Sequence, residues 1–177
     1  MIWIEENLRN ETALKVASQM AAAARTAPKG KGRDTLSIIV LNEEDLLRLA
    51  DKTEEIGKRT GMDFFCRDAH CLRKSHALLL IGTTIQPEGL KLCGLCGFTD
   101  CQDKVNKHFD VPCVFNNIDL GIAVGSAVSI AADNRVDSRV LYTVGMAALE
   151  MRIFDKSVKI ILGIPISISS KSPFFDR

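Results

Sequence analysis

The stretch LSIIVL at Leu36–Leu41 is a short and nearly continuous apolar run, which predicts a buried strand. Two similar runs follow, ALLLI at Ala77–Ile81 and VKIIL at Val158–Leu162. Gly82 is expected to end the second strand. Beyond the third, residues 163–168 contain a proline and begin an alternation of isoleucine with serine, which predicts an extended segment at a sheet edge.

The segments before and between these strands show the periodicity of helices. Apolar and small residues recur at helical spacing in five segments, residues 10–24, 43–56, 62–74, 119–132 and 139–151. Asn42 is expected to cap the second helix, and Gly57 is expected to follow its last residue. Helices that alternate with buried strands predict the α/β (α+β) class, with a helix-covered sheet in a single domain of residues 1–177.

Composition and charge exclude several classes of function. The 177 residues are 46% hydrophobic, and 23 basic against 22 acidic residues give a net charge of +1. A chain with this near-neutral balance lacks the excess of positive charge with which proteins bind the phosphates of nucleic acid. No apolar run reaches the roughly 18 residues of a membrane span, and the opening MIWIEE lacks the features of a secretory signal. We therefore expect a cytoplasmic protein that neither inserts into a membrane nor binds nucleic acid.

The segment of residues 83–115 differs from the rest of the chain, because it is rich in glycine and cysteine and shows little periodicity. It is predicted to be an inserted, irregular segment. Four cysteines in it follow the spacing C-x2-C-x4-C-x11-C, namely Cys93, Cys96, Cys101 and Cys113. Three close thiolates and a distant fourth suit an iron–sulfur cluster, whose corners no single helix face can reach.

Two other interpretations of the four cysteines stay open. Zinc is also bound by four cysteines. The C-x11-C half, however, departs from the two closely spaced cysteine pairs that are usual in zinc sites. A redox C-x-x-C alone would leave Cys101 and Cys113 unexplained. Gly94 and Gly97, which each follow a cysteine, would let the backbone fold tightly around a bulky cofactor and favour the cluster.

Cys66 and Cys71 could be combined with His76 into a second metal site. Burial is the favoured interpretation, because cysteine is often buried and a five-residue offset does not place two thiols on one helix face. The sequence contains no Walker loop, no G-x-S-x-G and no G-x-G-x-x-G, so the catalytic residues, if there are any, stay unknown.

Almost the whole chain resembles a bacterial and archaeal family of ferredoxin-domain-containing proteins of unknown function. The matching motifs are CGLCGFTDC (93–101), PC (112–113), DLGIAVGSA (119–127), DSRV (137–140), GIP (163–165) and PFFDR (173–177). The cysteine motif is similar to the four-iron cluster domain of electron-transport subunits and of the corrinoid iron–sulfur protein. The resemblance implies one [4Fe–4S] cluster on the four cysteines, in an electron-transfer protein whose redox partner is unknown.

A second likeness is to flavin-dependent nitroreductases, which are α+β homodimers with FMN at the dimer interface. AARTAP (23–28) before the first strand is similar to their opening, and the late helices and the strand ending in GIP continue the same order. The likeness implies a nitroreductase-like sheet, a homodimer and a flavin whose phosphate would meet basic side chains, namely Arg25, Lys29, Lys31 and Arg33. A solvated basic turn is the alternative interpretation of this loop. The alternative functions are an oxidoreductase that relays electrons from the cluster to FMN, and a non-enzymatic binding module with structural zinc.

Overall fold

A four-stranded antiparallel sheet in the order β1-β2-β4-β3 forms the centre of the molecule. The computed structural model describes residues 2–175, with strands β1 (Leu36–Leu41), β2 (Ala77–Thr84), β3 (Asp137–Ser138) and β4 (Val158–Ser167). The α-helices in this range are α1 (Arg9–Thr26), α2 (Glu43–Thr60), α3 (Asp63–Arg73), α4 (Cys101–His108), α5 (Val114–Asp133) and α6 (Tyr142–Glu150), and two short 3₁₀-helices lie at Glu5–Leu8 and Gly30–Gly32. Mixed helices and sheet confirm the predicted fold class.

Strand β2 shows why the apolar runs are continuous. Its side chains alternate between two faces, as in any strand. Ala77, Leu79 and Ile81 pack in one apolar cluster with residues of α1 and α5. Leu78 and Leu80 pack in a second cluster with residues of α2, α3 and α6. Helices therefore cover both faces of the sheet, and a strand buried on both sides needs apolar residues at every position.

Gly82 does not end β2 as predicted, since the strand continues to Thr84. A Cβ atom on Gly82 would lie 2.6 Å from Val158 Cγ1 and 3.2 Å from the carbonyl oxygen of Ile160. Glycine at this position allows the neighbouring strand to approach closely, and its role is packing rather than a turn.

The prediction that residues 163–168 form an edge segment is wrong, because β4 lies between β2 and β3. The Gly163 N–H donates to the Leu141 carbonyl at 3.0 Å, on the β3 side of the strand. Residues two apart on a strand direct their N–H groups to the same side, so an N–H at position 165 would also point towards β3. Pro165 has no N–H, and β3 is only two residues long. The short neighbour explains why a proline is tolerated in a central strand.

Helix α2 begins as predicted but ends one turn later. Asn42 Oδ1 accepts a hydrogen bond from the Asp45 N–H at 3.1 Å. The C-terminal cap is Gly61, in the left-handed conformation with φ of 70°. Gly57 lies inside the helix, where a Cβ atom would come within 2.8 Å of Cys66 Sγ on α3. This glycine allows two helices to pack closely and does not stop the first one.

Helix α5 is long and apolar enough to cross a membrane by length and composition alone, with a mean hydropathy of 1.4. Its buried face, which includes Leu120, Ala123 and Ala127, packs in the same apolar cluster as α1. Ile118 and Ile122 on the other side are 45% and 40% exposed. A core helix with one exposed apolar face also has the length and hydropathy of a membrane-spanning helix. The expected lack of membrane insertion therefore stays a prediction.

Candidate functional site

The C-x2-C motif forms a tight loop in front of α4. The Gly97 N–H donates to the Gly94 carbonyl at 3.0 Å, and Gly97 has a φ of 86°. A Cβ atom on Gly94 would lie 2.8 Å from the carbonyl oxygen of Phe98. Each glycine is needed for its own reason, the first for space and the second for its left-handed backbone.

The segment that the sequence predicts to be irregular contains helix α4. Asp100 caps this helix, since its Oδ1 accepts a hydrogen bond from the Asp103 N–H at 2.8 Å. Cys101 is the first residue of the helix. The eight-residue helix buries only Lys104, and a helix with one buried residue has no apolar periodicity that the sequence could reveal.

The fourth cysteine of the motif, Cys113, is buried and is the N-cap residue of α5. The N–H of the next residue, Val114, donates to Cys96 Sγ at 3.2 Å. This hydrogen bond brings the C-x2-C loop to the distant cysteine. Cys101 and Cys113 thus both lie at helix N-termini, where free N–H groups and the helix dipole stabilise negative charge.

The structure brings together only part of the predicted ligand set. All six cysteines are free thiols. Among residues 2–175, no three histidine, cysteine or acidic side chains are grouped closely enough to hold a metal ion. Cys93 lies in residues 85–100, which form neither helix nor strand. The four-cysteine ligand set stays a prediction.

Three buried polar side chains lie on the segments that carry or flank the four-cysteine motif. Glu88, Lys104 and Asn116 are each 1% exposed. In the described part of the chain, these three residues carry all the buried side-chain nitrogen and oxygen atoms that lack a hydrogen-bond partner. Lys104 follows Cys101 by three residues and shares its helix face. A buried ammonium without an acidic partner is costly, and an anionic centre on the cysteines would compensate it, so this residue fits a cluster at that position.

The basic loop predicted to meet a flavin phosphate is largely engaged in contacts within the chain. Arg25 pairs with Asp34 and also donates to the Leu36 carbonyl. Lys29 Nζ donates to three backbone carbonyls at or just after the end of α1, those of Ala24, Arg25 and Ala27. Lys31 Nζ donates to the Glu88 carbonyl at 3.0 Å, and Arg33 is exposed. Binding a phosphate here would require the first three side chains to give up these partners, and the flavin role of the loop stays a prediction.

Sequence reasoning missed a basic cavity of about 620 Å³ between α3 and the C-terminal segment. Four basic side chains line it, namely Arg67, His70, Lys74 and Lys171, and no acidic side chain among residues 2–175 does. Arg67 and His70 on α3 and Lys74 at its C-cap recur at helical spacing, which is the one signal that could have revealed it. The PFFDR motif borders this cavity as far as Phe175, and Asp176 and Arg177 lie outside the described residues.

Cys71 and Cys66 face different neighbours. Cys71 Sγ donates to the Pro173 carbonyl at 3.1 Å in the wall of the basic cavity, and burial raises the pKa of this thiol. Cys66 Sγ lies 4.0 Å from the Glu54 carbonyl of α2. A raised pKa keeps the Cys71 thiol protonated, which opposes a role as a metal-binding thiolate.

Sequence comparison identifies a family profile that matches part of the chain and a relative that matches all of it. Residues 110–177 match the profile of a family described as "uncharacterized protein containing a ferredoxin domain" (DUF2148). An uncharacterized protein of Archaeoglobus fulgidus is 40% identical over 183 residues, which cover 100% of this chain and 98% of that protein.

Structure comparison finds the same fold in proteins of low sequence identity. A nitroreductase with bound FMN from Desulfitobacterium hafniense superposes with a TM-score of 0.59 at 11% identity, over 89% of this chain and 78% of that one. The hypothetical oxidoreductase YcnD from Bacillus subtilis gives 0.58 at 16% identity, over 90% and 59%. The chain thus spans less than two thirds of YcnD. These likenesses confirm a nitroreductase-like fold.

Proposed function

Because the chain belongs to the family of uncharacterized proteins that contain a ferredoxin domain, we propose that it is an iron–sulfur electron-transfer protein with one [4Fe–4S] cluster on Cys93, Cys96, Cys101 and Cys113. When bound, the cluster would supply one-electron oxidation and reduction. The chain would hold it through four thiolates and direct backbone N–H groups at its sulfur atoms.

One observation carries this proposal, the hydrogen bond from the Val114 N–H to Cys96 Sγ. It supports the proposal because it joins the C-x2-C loop to the N-terminus of α5, where the fourth cysteine lies. Hydrogen bonds from backbone N–H groups to cysteine sulfur are among the interactions that tune iron–sulfur clusters. Cys93 lies in residues 85–100, which form neither helix nor strand, so its approach to Cys96 requires no regular element to unfold.

Metal analysis of protein purified without oxygen tests the proposal. We expect a brown protein with about four iron atoms per chain, as a [4Fe–4S] centre requires. A colourless protein with one zinc per chain would contradict the proposal and select the structural zinc site, which four cysteines also form.

The basic cavity favours a second candidate function, an oxidoreductase in which the cluster relays electrons to bound FMN. A volume of about 620 Å³ lies within the roughly 300–1,000 Å³ of small-molecule sites. The side chains of His70, Lys74 and Lys171 belong to exposed residues and make no hydrogen bond or ion pair within residues 2–175, so they are available to a phosphate. Arg67 is less available, because it pairs with the buried Asp68 at 2.9 Å.

Replacing Lys74 and Lys171 together with alanine should weaken FMN binding by about tenfold or more. Each substitution would remove a charge-assisted hydrogen bond to the phosphate, worth about 1.5–3 kcal/mol. A loss of about 1.4 kcal/mol already raises the dissociation constant tenfold. Quenching of flavin fluorescence on titration with the protein measures the affinity.

The matched control for this double variant replaces Lys156 and Lys159, which line a separate cavity beside β4. It removes the same charge and should leave FMN binding unchanged. Equal affinities of the two double variants would show that the phosphate binds elsewhere, and a wild-type protein that leaves flavin fluorescence unchanged would contradict the flavin function.

We also propose that two copies of the chain form a homodimer. The exposed apolar side chains of α5, Ile118 and Ile122, offer a second copy an apolar surface. Sedimentation equilibrium should give a mass of about twice 19.4 kDa, and a mass of one chain would contradict the proposal.

A further inference from the structure

His76, between α3 and β2, holds the start of residues 168–175, the C-terminal segment. Its Nδ1 atom accepts a hydrogen bond from the Ile168 N–H at 3.2 Å. Its own backbone N–H donates to the carbonyl of Ile166 in β4 at 2.9 Å. Strand β4 ends at Ser167, so the ring of His76 fastens the segment at the point where it leaves the sheet.

The C-terminal segment forms the wall of the basic cavity opposite α3 and contributes one of its four cations. Two other side chains hold the segment further along. Arg139 donates to the Phe174 carbonyl at 2.7 Å, and Cys71 Sγ donates to the Pro173 carbonyl at 3.1 Å. Among these three side chains, His76 is the one whose ordinary pKa lets it change charge between about pH 5 and 8.

Charged side chains from three helices face the imidazole ring. Glu5 of the first 3₁₀-helix, Arg9 of α1 and Glu43 of α2 act on it through their charges. Glu44 lines the same small cavity beside the ring. Burial, and after it the charge of Arg9, lowers the pKa of His76, because the opposing effect of the glutamates is smaller. The ring is therefore mostly neutral at about pH 7, and a neutral ring offers one nitrogen as an acceptor.

We propose that His76 is a pH switch that releases the start of the C-terminal segment in acid and thereby opens one wall of the basic cavity. An imidazolium ring carries a proton on both nitrogens and has no acceptor. The Ile168 N–H and the charged ring would then meet as two donors, which breaks the hydrogen bond between them. Glu5 and Glu43 would stabilise the charged ring. The inference concerns the segment itself and holds whether or not the cavity binds FMN.

The lowered pKa determines the direction of the pH dependence. The stability that the hydrogen bond contributes is fully present above the ordinary histidine pKa of about 6.5. It is lost as the pH falls through the lower pKa of His76 in the folded protein. Losing one hydrogen bond corresponds to a shift of about twofold to tenfold in the equilibrium between the held and the released segment.

Hydrogen exchange of the whole protein, corrected for its intrinsic dependence on pH, measures the release. Between about pH 7.5 and about pH 4.5, the protection of the amides in residues 168–175 should fall about twofold to tenfold, whereas the amides of β2 should stay protected. In His76→Asn a side-chain oxygen takes the place of Nδ1 and does not titrate, so the segment should stay protected at both pH values. The matched control is His108→Asn, an exposed histidine of α4 that does not line the basic cavity, and it should keep the wild-type response.

Equal protection of the wild-type segment at both pH values would overturn the inference. An acid response that persists in His76→Asn would overturn it too, because another group would then take up the proton that releases the segment. If His76→Asn fails to fold, NMR titration of the His76 ring in the wild-type protein decides instead. The midpoint of segment release should coincide with the midpoint of ring protonation, and clearly separate midpoints would overturn the inference.

Discussion

Replacing Cys96 with serine should remove most of the iron from protein purified without oxygen, whereas Cys66→Ser should retain the wild-type content. Serine keeps the shape of cysteine, but it replaces a soft thiolate with a hydroxyl, and iron–sulfur clusters are held by thiolates. Cys96 is the sulfur that already receives the Val114 N–H at the N-terminus of α5. Without it, the remaining three cysteines cannot complete the four-sulfur set.

Cys66 is the matched control because it changes the same atom outside the proposed site. Its Sγ packs between α3 and α2, where Gly57 leaves space for it. Iron and acid-labile sulfide per chain are measured for both variants, and circular dichroism shows that each is folded. Equal iron loss in both, or retention in both, would show that the ligands were assigned wrongly.

Gly145→Ala should destabilise the fold by about 3 kcal/mol or more, a large effect for one methyl group. Helix α6 lies against β4 at this residue. A Cβ atom on Gly145 would overlap the carbonyl oxygen of Ile161 and would lie 2.6 Å from its carbonyl carbon. The obstacle is the backbone of a central strand rather than a flexible side chain, so relief requires the helix to move away from the sheet.

Urea unfolding measures this loss, with Gly121→Ala as the control. A Cβ atom on Gly121 of α5 would meet nothing within 4 Å, so alanine there should stabilise the helix by up to about 1 kcal/mol. A Gly145→Ala protein that unfolds within about 0.5 kcal/mol of the wild type would contradict the packing of α6 on β4.

The sequence was most informative where one local pattern determined the structure. LSIIVL forms strand β1 over the predicted residues, and Asn42 caps α2 as predicted. Glycine and proline were informative only in part. The usual roles of glycine and proline are local, and for this reason Gly57, Gly82 and Pro165 are predicted to interrupt helices and strands. In the structure, Gly57 and Gly82 allow close packing against a neighbouring helix and a neighbouring strand, and Pro165 is tolerated beside a two-residue strand.

In the candidate site, too, some features follow from a local sequence pattern and others depend on packing. The spacing of the cysteines and the need for Gly94 and Gly97 could be read from one short stretch. The proximity of Cys96 to Cys113, the burial of Lys104 and the basic cavity all depend on how separate segments pack, and no local pattern encodes such packing. The cations of the cavity come from α3 and from the last described residues, almost 100 positions apart along the chain.

Anomalous scattering at the iron absorption edge, from crystals grown without oxygen, locates the metal relative to the four cysteines of the motif. We expect one iron-containing peak within bonding distance of the sulfur atoms of Cys93, Cys96, Cys101 and Cys113, with residues 85–100 closed around it. A peak only at the zinc edge, or a metal held by other residues, would contradict the proposed cluster.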